Sequence, residues 1–166
     1  GERVGALLFD LPIAEIGRVL QAARAGSSYE SYAFDRQGRM VSESRFPDDL
    51  SRLGLVPDGT RSSVLRLDVR DPGGDLTQGF RASTPRAVQP LTRMAASAVA
   101  GRSGVDVAGY RDYRGVPVVG VWHFLPRLGI GVATEMDFTE AYRTLHTLEH
   151  LLALPVAALF ADREVG

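Results

Sequence analysis

Residues 105–136 constrain the fold of this chain more than any other stretch. Three runs rich in apolar and β-branched residues, 105–113, 116–124 and 130–136, are separated only by Arg114-Gly115 and by residues 125–129, where Pro126-Arg127-Leu128-Gly129 turns the chain. Parallel neighbours need crossovers of a dozen or more residues, so connections this short force antiparallel pairing. The last run passes straight into a helical pattern. Asp137 suits the N-cap, Glu140 stands where a capping box closes, and Phe138, Ala141, Tyr142, Leu145 and Leu148 follow one stripe.

The N-terminal part supplies further elements. Residues 4–9 form a short apolar run that reads as a strand, and Pro12 opens a helix whose apolar positions recur at helical spacing through Ala25. Residues 29–34 and 39–44 read as a hairpin turned by Asp35-Arg36-Gln37-Gly38, with Gly38 supplying a positive φ. Between 46 and 104 the pattern is irregular. Short helices are expected at 48–53 and 90–100, a strand at 63–69, and a turn at Asp71-Pro72-Gly73-Gly74-Asp75.

Five antiparallel strands with a long insertion after the second suit one sheet with flanking helices, an α/β (α+β) domain. Pairing the first strand with the last gives the order 2-1-5-4-3, one of a few permitted topologies. At 166 residues the chain has the length of one domain.

Composition removes several function classes. The net charge is −1, and all 19 basic residues are scattered arginines, so no nucleic-acid-binding face is indicated. There is no Cys, hence no disulfide framework, Cys-ligated zinc or thiol nucleophile. The apolar stretch 151–161 is 11 residues long and contains Pro155, whereas a membrane span needs about 20 apolar residues. It reads as a packed helix end or the first part of a span.

Three segments together resemble the Cache family of extracellular PAS-like sensor domains. Tyr29-Glu30-Ser31-Tyr32-Ala33-Phe34-Asp35-Arg36-Gln37-Gly38-Arg39-Met40-Val41-Ser42-Glu43-Ser44 looks like the opening hairpin. Gly109-Tyr110-Arg111-Asp112-Tyr113-Arg114-Gly115-Val116-Pro117-Val118-Val119-Gly120 looks like the middle hairpin. Leu128-Gly129-Ile130-Gly131-Val132-Ala133-Thr134-Glu135-Met136-Asp137 looks like the last strand, running into a membrane-directed helix. The resemblance implies a PAS-like five-stranded antiparallel sheet over residues 1–166. Residues 1–11 would join a distal module, and 137–161 would form the helix toward the membrane. It also implies extracytoplasmic sensing of a small molecule, such as an organic acid or amino acid, within a membrane-anchored bacterial receptor.

The constellations that carry chemistry are few. His146-Thr147-Leu148-Glu149-His150 matches an H-x-x-E-H zinc pattern, but such a site needs a further acidic ligand well downstream, and only 16 residues remain after His150, with Glu164 their sole Glu. Asp68, Asp71 and Asp75 flank a Gly-rich turn without EF-hand spacing, so a solvated turn is the default reading. No G-x-S-x-G and no phosphate loop occur. No catalytic residue, metal or cofactor is therefore expected, and the domain is read as non-enzymatic.

For ligand contact, Tyr32, Tyr110, Tyr113 and Trp122 combine apolar bodies with polar tips, which suits pocket walls. Arg45 and Arg66 could clamp a carboxylate, and Ser42, Ser44 and Thr134 could supply hydroxyls. Arg45 and Trp122 are the favoured pair. The expected function is sensing of a small ligand held between the sheet and residues 46–104, relayed through the helix from Asp137. The alternative is a non-binding module that homodimerises through its helices and transmits motion.

Overall fold

The computed structural model describes residues 13–22 and 26–143. The expected strand at 4–9, the H-x-x-E-H segment and the stretch 151–161 lie outside these residues. Helix α1 (Ile13–Ala22) leads to strand β1 (Glu30–Asp35). Helix α2 (Pro47–Arg52), two 3-10 turns (Leu76–Gln78, Arg86–Val88) and helix α3 (Arg93–Val99) fill the middle. The meander β2 (Gly104–Arg111), β3 (Pro117–Leu125) and β4 (Ile130–Asp137) follows, and α4 (Phe138–Ala141) begins directly after β4.

The sheet is antiparallel with order β1-β4-β3-β2. The short turns after β2 and β3 fix β2·β3 and β3·β4 as neighbours. β1 closes on β4 with Glu30 opposite Glu135 and Asp35 opposite Ile130. The result is an α+β architecture with helices of modest length.

The described residues carry four strands, not five. The segment 39–44 begins as expected: Gly38 has φ +77°, Asp35 N–H donates to Arg39 O, and Phe34 and Met40 form a bridge. Side chains then take over from the backbone ladder. Ser42 Oγ accepts the Ala33 N–H at 2.9 Å, and Ser63 Oγ accepts the Ser44 N–H at 2.7 Å. The buried amides are satisfied, but no second strand propagates.

The expected strand at 63–69 is also absent. The chain turns at Leu65, whose φ is +56°, and the Arg66 and Leu67 N–H groups fold back onto Ser63 O. Ser63, Leu67 and Val69 are buried while Leu65 points to solvent, so the alternation records burial around a turn. Asp68 and Arg70 make only isolated bridges, to Arg39 and Leu91. The helix expected at 90–100 starts later, at Arg93, because Thr92 caps it by accepting the Ala95 N–H.

The sheet presents one face to the middle segment. Tyr32, Phe34, Val118, Trp122 and Ala133 pack there against Met40, Leu50, Leu67, Val69, Met94, Ala95 and Ala98. In β4 the alternation is regular: Gly131, Ala133 and Glu135 are buried and their neighbours are partly exposed. A carboxylate therefore occupies a position that the strand pattern assigns to the core.

Candidate functional site

Glu30 and Glu135 are direct cross-strand partners on this inner face, at 4% and 3% exposure. Like charges directly opposite on adjacent strands repel, and burial adds a desolvation cost. Three tyrosines surround the pair. Glu135 accepts hydrogen bonds from Tyr32 Oη at 2.9 Å and Tyr110 Oη at 2.7 Å, one on each oxygen. Glu30 accepts from Tyr113 Oη at 2.9 Å and from the Arg45 N–H at 2.8 Å. Ser44 Oγ lies 2.7 Å from Tyr113 Oη.

Gly120 makes the Tyr110 bond possible. It sits opposite Glu135 in the β3–β4 register, and a Cβ there would overlap Tyr110 Oη and lie 3.0 Å from Glu135 Cγ. The absent side chain lets Tyr110 cross β3 from β2 and reach β4.

Burial raises the pKa of both carboxyls. Glu135 is pushed up to about 8, first by desolvation and then by the charges of Asp112 and Glu30, against the opposing hydrogen bonds of Tyr110 and Tyr32. Glu30 is raised by desolvation, which the Arg45 amide and Arg114 partly offset. At neutral pH the pair thus holds a proton, as expected when two buried acids face each other.

A second knot adjoins the first. Asp112 and Arg114 are 1% and 4% exposed. Asp112 Oδ1 accepts the Arg114 and Val116 N–H groups and shapes the turn between β2 and β3, while Oδ2 accepts Arg114 Nε at 2.7 Å. The Arg114 guanidinium stacks 3.8 Å over the Phe46 ring, reaches Asp137 at 3.1 Å and faces Asp49 at 3.6 Å. Burial is the largest single influence and works against this cation, but Asp112, Tyr113 and Asp137 around it together outweigh burial and raise its pKa.

The knot reaches α4 through Asp137. That residue stands at the N-cap position but makes no capping hydrogen bond with its side chain. Glu140 closes no capping box either. Its carboxylate crosses to the turn before β1, accepting the N–H and Oγ–H groups of both Ser27 and Ser28 at 2.5–2.8 Å. Ser28 Oγ in turn accepts the Asp137 N–H. These bonds, led by the Ser28 hydroxyl, hold the Glu140 pKa down at about 2.

The expected ligand residues are distributed as follows. Tyr32, Ser44, Tyr110 and Tyr113 meet in the buried cluster. Trp122 joins its edge, packing against Tyr110 and donating Nε1–H to Ser97 Oγ at 3.2 Å. Ser42 binds the β1 backbone, and Thr134 lies on the opposite sheet face, paired with Ser31. Arg45 donates to the carbonyls of Tyr29 and Gly26, and exposed Arg66 to Val64 O. Arg45 and Trp122 are not brought together. Of the considered acids, Asp71 binds Arg111, Asp75 caps a 3-10 turn, and no group of three metal-ligating side chains occurs among the described residues.

Two clefts flank the cluster, each of about 440 Å³. One is lined by Asp71 and Arg93 from the middle segment, by β2 from Ala108 to Arg111, and by Phe138 of α4. Tyr110 is part of its wall, so one side chain separates Glu135 from this cleft. The other cleft is walled by Asp49, Arg114, Asp137 and Phe138. Arg111 and Arg93 are paired with Asp71 and Asp106. Comparison with family models, with curated proteins and with solved structures finds no match to this chain.

Proposed function

We propose that this chain is an extracytoplasmic small-molecule-sensing domain of a bacterial membrane receptor, of the Cache, PAS-like type. The strand order β1-β4-β3-β2 is what the five-stranded PAS-like order 2-1-5-4-3 becomes when its edge strand is reduced to isolated bridges. The observation that carries the sensing role is the cleft beside Tyr110. It lies between the sheet and the middle segment, and its walls include both Tyr110, which holds Glu135, and Phe138, which opens α4. A ligand seated there touches the buried cluster and the outgoing helix together. Arg93 and Arg111 suit a carboxylate-bearing ligand that exchanges for the aspartates now paired with them, Asp106 and Asp71. Only a ligand with different affinity for two states of this contact shifts α4.

The test is a thermal-shift and calorimetric screen of the chain against small carboxylates and amino acids. A ligand at 100 times its Kd raises stability by about 2.7 kcal/mol. Tyr110→Phe and Arg93→Gln are expected to weaken that ligand at least tenfold. Retained affinity in both variants overturns the assignment of the cleft.

A second reading, a non-binding relay or dimerisation module, is favoured by the mutual hydrogen bonding of the cluster and by the Glu140 link between the turn before β1 and α4. A flat screen together with concentration-dependent dimerisation in sedimentation supports it.

A further inference from the structure

On the far side of the middle segment, a cleft of about 350 Å³ lies between the end of α2 and the two 3-10 turns. Its lining includes Arg52, Arg81 and Arg86 and no acidic residue. Between the arginines lie the partly exposed apolar side chains of Leu55, Leu76 and Phe80, the last 42% exposed. Arg52 is engaged by Asp49. The exposed guanidinium of Arg81 has no hydrogen-bond or ion-pair partner among the described residues.

Arg86 is the unusual member. Its guanidinium is fixed by neutral acceptors, Gln89 Oε1 at 3.2 Å and Asp68 O at 2.7 Å, and its buried Nε has no acceptor. The two carboxylates whose charge acts on it serve other cations: Asp68 faces Arg39 and Arg70, and Asp112 binds Arg114. Burial lowers the Arg86 pKa to about 10 despite those charges, so the local countercharge is incomplete. Guanidinium groups recognise carboxylates through paired N–H donors, and apolar walls orient the rest of a ligand.

We propose that this cleft binds a small organic monocarboxylate with an apolar body, the acid group on Arg81 and Arg86 and the body against Leu55, Leu76 and Phe80. The site is separate from the cleft beside Tyr110 and stands independently of the sensing role proposed there.

Calorimetric titration of the 166-residue chain with phenylacetate tests it, with phenylacetamide and inorganic phosphate as comparators. Saturable phenylacetate binding is expected, with both comparators at least tenfold weaker. Arg81→Gln and Phe80→Ala change exposed side chains, and each is expected to weaken phenylacetate about tenfold, roughly 1.4 kcal/mol, with the Tm of the free chain preserved. Absence of saturable binding, or unchanged affinity in both variants, overturns the proposal. Phosphate binding as tightly as phenylacetate reduces the site to an adventitious ion only, and also overturns it. If Arg93→Gln abolishes binding while Arg81→Gln does not, the acid sits beside Tyr110. That result sinks this site and leaves the sensing role standing.

Discussion

Glu135 is where the energetics of this protein are most exposed to experiment. A carboxyl whose pKa is about 8 when folded, against an ordinary value of 4.5, binds its proton more tightly in the native state. Its contribution to stability is therefore fully present below pH about 4.5 and is lost as pH rises through about 8. Glu135→Gln keeps the shape and removes the titration. The variant is expected to flatten the fall in Tm between pH 5 and 9, measured by thermal unfolding across that range, and to exceed the parent at the alkaline end. An equally steep fall in the variant would remove Glu135 as its source. At Arg114 the opposite holds, because the charge itself is needed. Arg114→Met leaves Asp112 buried and unpaired, and the expected loss is about 3–5 kcal/mol. Urea unfolding followed by the fluorescence of Trp122, the single tryptophan, measures it.

Among the elements, β3 shows how one small residue decides the arrangement of two others. Gly120→Ala places a methyl where Tyr110 Oη now lies, and overpacking of this kind costs roughly 1–3 kcal/mol. In a Tyr110→Phe background the obstruction is smaller, so the two losses are expected to fall short of additive in a double-mutant cycle. The meander was legible in the sequence because two turns left no other way to connect its runs. The segments 39–44 and 63–69 were not, since Ser42, Ser63 and the turn at Leu65 satisfy buried amides without a ladder while keeping a strand-like burial pattern. Among the site residues, aromatic type marked Tyr32, Tyr110 and Tyr113. Glu30 and Glu135 were missed although a signal existed: Glu135 shares strand parity with Gly131 and Ala133, both inward-facing. Glu140 was misread because its partners lie 112 and 113 residues away, and a capping box is a local motif. Glu140→Gln weakens that remote link. Hydrogen exchange is expected to quicken at the Ser27 and Ser28 amides, with β3 amides unchanged.

Taken whole, the molecule places its polar investment along one line, from the cleft at Tyr110 through Glu135 and Glu30 to the turn that Glu140 grips. The chain reaches β1 from Gly26 and leaves β4 at Asp137, and these two points lie at the same end of the β1–β4 ladder. Tension applied between α1 and α4 therefore loads that ladder by unzipping, one rung at a time, and not by shear across all its bonds. Once the grip of Glu140 on Ser27 and Ser28 yields, the first rung to open is Glu30 with Glu135, whose carboxyl holds a proton at neutral pH. Rupture force measured by pulling along this axis should consequently depend on pH, lower at pH 9 than at pH 5, which ties the mechanical threshold of the fold to the protonation of a single rung.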